Sequence, residues 1–176
     1  MSDKRQRGVL LPVSSLPSKY GIGCFSKSAY DFVDALKMAG QSCWQILPLG
    51  PTSYGDSPYQ SFSTFAGNPY FISLEDLIEE GVLTQKECDA VDFGSDPASV
   101  DYAKLYKGRI ILLRKAYERS NVGENEEFRR FQEEEACVET KHSVAWEFTH
   151  QVLAIPFVII VGELYGSRKQ CICVER

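Results

Sequence analysis

The chain has 176 residues, long enough for one domain with a real hydrophobic core. Apolar residues make up 44% and aromatics 12%, which fits a globular protein and excludes a disordered one. A formal net charge of -5 argues against a nucleic-acid or anionic-membrane surface, where a basic patch is expected.

The N-terminus, MSDKRQRG, lacks the apolar core of a signal peptide. The six cysteines (24, 43, 88, 137, 171 and 173) follow no disulfide-framework spacing, so reduced thiols and a cytoplasmic location are expected. Gly8 to Pro12 reads as a short buried strand, and Ser14 to Gly23 as a loop rich in Ser, Pro and Gly. Gly21-Ile22-Gly23 has neither the third glycine nor the downstream acid of a phosphate loop, and is a turn. Ser28 with Asp31 resembles a capping box, Ala29, Phe32, Val33 and Leu36 recur at helical spacing, and Gly40 stops the helix. A second buried strand follows from Cys43 to Leu47. Strand, helix and strand at this length make a βαβ unit with parallel strands.

From Gly50 to Pro69 the chain runs as one long loop, and loops of that length are usually functional or disordered. Tyr54, Tyr59, Phe62, Phe65 and Tyr70 are too many aromatics for a solvated linker. A tyrosine offers an apolar face and a hydroxyl rim, which suits a sugar's CH face and OH edge, although each ring could equally pack the loop onto the body. Both this loop and Ser14 to Gly23 leave strands at their carboxyl ends, where parallel α/β folds bind ligands.

Beyond Pro69 the pattern is helical. Ser73-Leu74-Glu75-Asp76 and Thr84-Gln85-Lys86-Glu87 read as capped helix starts separated by Gly81. A long helix runs from Tyr102 to about Arg119, with Leu105, Ile110, Leu113 and Tyr117 on its inner face and Lys104, Lys107, Arg114 and Lys115 solvated. A further helix is expected over Glu124 to Ala136, with Phe128 and Phe131 inward and Glu133 to Glu135 in solvent.

The segment WQILPLGPTSYGDSPYQSFSTFAGNP resembles the signature of the 4-alpha-glucanotransferases (amylomaltase or disproportionating enzyme), a branch of the alpha-amylase superfamily. The upstream GVLLPVSSLPSKYGIGCFSKSAYDFVDALKMAGQSCWQ resembles the same family's N-terminus in order and spacing. The resemblance implies an α/β fold, the N-terminal part of a (β/α)8 TIM barrel with a helical insertion after the second strand, the barrel being incomplete in this chain. Residues 1–72 are then the first βαβ unit with its substrate-side loop, 73–137 the insertion, and 138–176 an unmatched tail. The implied activity is transfer of α-1,4-glucan segments to glucose or another glucan by a retaining double displacement. Residue by residue, it implies that Tyr59 stacks on the sugar and Ser57 bonds a glucose hydroxyl, with Tyr54, Asp56 and Asn68 as further substrate-side positions. No cofactor and no metal are implied; the partners are α-1,4-glucans and maltooligosaccharides.

The tail, VETKHSVAWEFTHQVLAIPFVIIVGELYGSRKQCICVER, reads as foreign to what precedes it, as in a truncated or frame-shifted product. Its apolar run from Val152 to Val161 is too short to span a bilayer. A retaining glucanotransferase needs two carboxyl groups about 5 to 5.5 Å apart. In the family these come from later barrel strands, and no matching motif occurs here; Glu163 only superficially resembles an acid at a strand end. His142 and His150 both lie in the tail, no Gly-x-Ser-x-Gly occurs, and Cys171-x-Cys173 has no second pair at zinc spacing. An inactive, glucan-binding remnant of the family is therefore the alternative expectation.

Overall fold

The computed structural model describes residues 7–52, 55–61, 67–96, 98–120, 124, 126, 129–130 and 171–174. Strand β1 (Gly8–Leu10) pairs in parallel with β2 (Cys43–Gln45), Val9 lying opposite Trp44. Between them runs α1 (Lys27–Met38). The helix starts two residues earlier than its expected capping box: Ser26 is the N-cap, and Ser26 Oγ lies 3.0 Å from Ser28 Oγ. It ends as the glycine signal requires. Gly40 takes a φ of 70°, its N–H donates to Lys37 O, and the N–H of Gln41 reaches back to Leu36 O, a Schellman closure.

Trp44 joins α1 to the sheet. Its ring is fully buried, meets Phe32 edge to face at 5.0 Å between centroids, and donates Nε1–H to Leu11 O at 2.9 Å. β1, by contrast, is exposed along its length, with Leu10 57% accessible, so the expectation of two buried strands fails for the first and holds in part for the second, where Trp44 and Ile46 are buried and Gln45 is exposed. The reason is topological: β1 is the edge of a sheet ordered β1-β2-β3, and no described residue covers it.

The third strand is β3 (Cys171–Cys173), from the tail, antiparallel to β2 with Cys173 opposite Cys43. Val174 follows it into the core, its N–H donating to Ser42 O at 3.2 Å. Cys24 and Cys88 are free and buried, whereas Cys43 is disulfide-bonded, which corrects the expectation of reduced thiols throughout. Linear spacing carries no sign of a strand that pairs across such a distance.

Helices α2 (Leu74–Glu79), α3 (Gln85–Asp89) and α4 (Tyr102–Arg119) build the second layer. Ser73 caps α2 through the N–H of Asp76, and Thr84 with Glu87 forms a complete capping box on α3. Asp101 caps α4 by accepting from the N–H of Lys104. The buried face of α4 is Leu105, Arg109, Leu112, Leu113 and Ala116, an i, i+4, i+7, i+8, i+11 stripe turned slightly from the expected one. Lys104 and Lys115 lie outside it, paired with Asp92 and Glu87. The expected helix over 124–136, the apolar run 152–161, His142, His150 and Glu163 lie largely or wholly outside the described residues. Among the described residues no helix is long and apolar enough to cross a membrane.

Candidate functional site

The loops that leave β1 and β2 meet at the strands' carboxyl ends. After β1, the chain makes a short 3-10 turn over Val13–Ser15 and doubles back so tightly that a Cβ on Gly23 would collide with Val13 O. The N–H of Gly23 donates to Ser14 O at 3.1 Å. After β2, Ile46 and Leu49 are buried, and a bridge between Thr52 and Ser61 closes the long loop on itself. It returns to the body where the N–H of Asn68 donates to Leu49 O at 2.8 Å.

Between these two loops lies a shallow cleft, open to solvent, with a cavity volume of about 30 Å3. Val13, Ser14 and Ile22 line it from the loop after β1, Thr52, Asp56, Pro58 and Asn68 from the loop after β2, and Phe71 and Tyr102 add to the lining. Apolar walls carrying a few convergent polar groups are the ordinary make-up of a small-molecule site.

Asp56 has a φ of 53°, the left-handed region that aspartate tolerates better than most residues. Its charge is felt by two phenols. Burial first and then Asp56 push the Tyr70 hydroxyl up to about 12, and the same two causes raise Tyr102. The rings of Tyr70 and Tyr102 tilt against each other at 6.2 Å. Thr52 Oγ1, on the cleft lining, is buried with no hydrogen-bond partner among the described residues.

Asp56 and Asn68 thus both line the cleft. Asn68 is buried, and its Oδ1 accepts from the N–H of Tyr70 at 3.0 Å, capping the 3-10 turn Pro69–Phe71. Tyr59 stands at the loop tip, 73% exposed, one residue past the lining Pro58. Ser57 is half-buried beside it; its Oγ accepts from the N–H of Tyr59 at 3.4 Å and its carbonyl from the N–H of Gln60 at 3.0 Å. Tyr54 lies outside the described residues. Sequence reasoning passed over Tyr102 and Thr52. Tyr102 was legible only as the first residue of a helix, and nothing local placed that helix behind the loop.

A model of the 4-alpha-glucanotransferase family of glycoside hydrolases matches residues 11–146. The chain belongs to the 4-alpha-glucanotransferase family. A 4-alpha-glucanotransferase of Streptococcus pneumoniae is 59% identical over 129 residues, which cover 73% of this chain and 26% of that protein. One from Clostridium butyricum is 52% identical over 123 residues, 70% of this chain and 25% of that protein. An amylomaltase from Streptococcus agalactiae, solved in complex with acarbose, superposes with a TM-score of 0.70 at 44% identity, covering 76% of this chain and 27% of its own. The chain therefore spans about a quarter of the length of the family members it matches. Among the described residues no group of three or more His, Cys, Asp or Glu could hold a metal.

Proposed function

We propose that this chain forms the substrate-side, N-terminal part of a 4-alpha-glucanotransferase that moves α-1,4-glucan segments to glucose or another glucan. The observation that carries the reading is the cleft at the carboxyl ends of two parallel strands, the position at which a (β/α)8 barrel binds its ligand. The bare edge of β1 fits a sheet that continues into such a barrel. Acarbose in the Streptococcus agalactiae relative supports a sugar as the ligand.

In this reading Tyr59 lays its exposed ring on the CH face of a glucose unit, and Ser57 bonds a hydroxyl at its edge. Asp56 accepts from sugar hydroxyls inside the cleft, Asn68 holds the cleft wall, and Tyr54 extends the same loop. The retaining displacement needs a carboxylate nucleophile and a carboxylic acid about 5 to 5.5 Å apart. We place both beyond the matched quarter, so this chain binds and orients while the remainder of the enzyme breaks the bond.

A chimera tests this. Residues 11–146 replace the corresponding segment of the Streptococcus pneumoniae relative, and the product is given maltotriose. Longer oligomers together with free glucose are expected. A folded chimera that leaves maltotriose untouched beside an active parent would overturn the reading.

A further inference from the structure

α4 carries a fully buried arginine. The guanidinium of Arg109 reaches out of the helix and grips two distant segments: Nη1 donates to Tyr20 O at 3.1 Å, and Nη2 donates to Ile72 O. Its Nε has no hydrogen-bond partner among the described residues. Among the described residues no carboxylate is hydrogen-bonded to it; burial opposes its charge, while Cys24 and Glu75 favour it. A buried charge held by two carbonyls and the Cys24 thiol, with no carboxylate bonded to it among the described residues, is costly to bury. What the arginine adds is a rigid fork of donors aimed at two backbones at once.

The two carbonyls belong to the segments that make the cleft. Tyr20 lies two residues before the lining Ile22, and Ile72 directly follows the lining Phe71. The same two segments touch once more, where the N–H of Phe25 donates to Phe71 O at 3.3 Å. Gly21, at a φ of 80°, passes so close to Phe93 that an added Cβ would stand 2.7 Å from the Phe93 Cβ.

We propose that Arg109 is a positioning residue for the cleft: from the helical layer it clamps the loop after β1 to the segment after Asn68 and so sets the spacing of the cleft walls. As far as glucan affinity is concerned this rests on the glucan reading of the cleft; as a statement about the walls it does not. The full chain with Arg109→Met, which keeps volume but removes charge and donors, provides the test. Three quantities are read: the thermal midpoint, the maltotriose dissociation constant, and amide hydrogen exchange at Gly23, Phe25 and Phe71. Arg109→Met is expected to unfold cooperatively at a lower temperature than wild type, because the Tyr20 and Ile72 carbonyls lose their buried donors, while those three amides exchange faster than the rest of the chain. Maltotriose should bind roughly tenfold more weakly, because loosened walls must be re-ordered on binding. Wild-type exchange at the three amides overturns the clamp, as does acceleration spread evenly over the whole chain. If Arg109→Met does not fold, Arg109→Lys decides. One ammonium lacks the fork that spans both carbonyls, so one of the two segments must exchange faster, and wild-type protection in both overturns the proposal. If the wild-type chain ignores maltotriose, the glucan reading fails and exchange alone judges the clamp.

Discussion

Glu87 and Arg119 form a two-pronged ion pair: Nη1 donates to Oε2 and Nη2 to Oε1, each at 2.9 Å. The pair ties the first turn of α3 to the last turn of α4, and Lys115 joins it from the neighbouring turn. Glu87 also closes the capping box with Thr84. Arg119 first, then Lys115 and Thr84, hold its carboxyl well below the ordinary value of 4.5.

An acid-sensitive helical layer is the first expectation. A carboxyl whose folded pKa is depressed stabilises the fold fully above its unfolded value, and that contribution is lost as the pH falls toward the folded one. Stability should therefore drop as the pH goes below 4.5, with Asp89 and Asp92, lowered by Lys19 and Lys104, acting in the same direction. Glu87→Gln retains a side chain compatible with the capping box and removes the charge, so it should flatten the acid limb of a denaturation-midpoint profile. An unchanged limb would count against the pair.

Trp44 is the packing keystone between α1 and the sheet. Trp44→Ala should lose about 3 to 5 kcal/mol in denaturant unfolding. Trp44→Phe keeps most of the apolar volume but leaves Leu11 O without its partner, at a cost of about 1 to 3 kcal/mol. A cost for Trp44→Phe equal to that for Trp44→Ala would mean that the hydrogen bond, not the ring, holds this junction.

The cleft's electrostatics can be read from two phenols. A hydroxyl whose folded pKa is raised favours the fold below its unfolded value of 10.0, and that contribution fades as the pH rises toward about 12. Asp56→Asn removes an anion that opposes phenolate formation, so Tyr70 and Tyr102 should both ionise at lower pH in an ultraviolet titration. If neither moves, Asp56 does not face them.

Short-range chemistry made much of this chain legible before its structure. Ser73 and Thr84 were recognisable as caps because a cap is settled by three or four neighbouring residues, and the Gly40 stop is equally local. The parallel strand pair and the shared rim of its two loops followed from the strand, helix, strand order. What escaped depends on contacts far apart in the chain. Arg109 carries no local signal that separates it from the other cations of its helix; its role depends on α4 lying against Tyr20 and Ile72. The resemblance implies Asn68 as a substrate-side position, but not that it is buried and bonded to Leu49 O and the N–H of Tyr70. β3 pairs with a strand more than a hundred residues earlier, which no periodicity announces.

The central claim is that the rim of this chain receives an α-1,4-glucan through Tyr59. Titrating the full chain with maltotriose, wild type beside Tyr59→Ala, tests it most directly. The ring is exposed, so its removal should change stability by no more than about 0.5 kcal/mol. A stacking contact worth about 0.5 to 1.5 kcal/mol implies binding weakened roughly two- to tenfold. Saturable wild-type binding, weakened in a variant with an unchanged melting temperature, is the predicted result. Equal affinity in the two proteins, or no binding by either, would contradict the account.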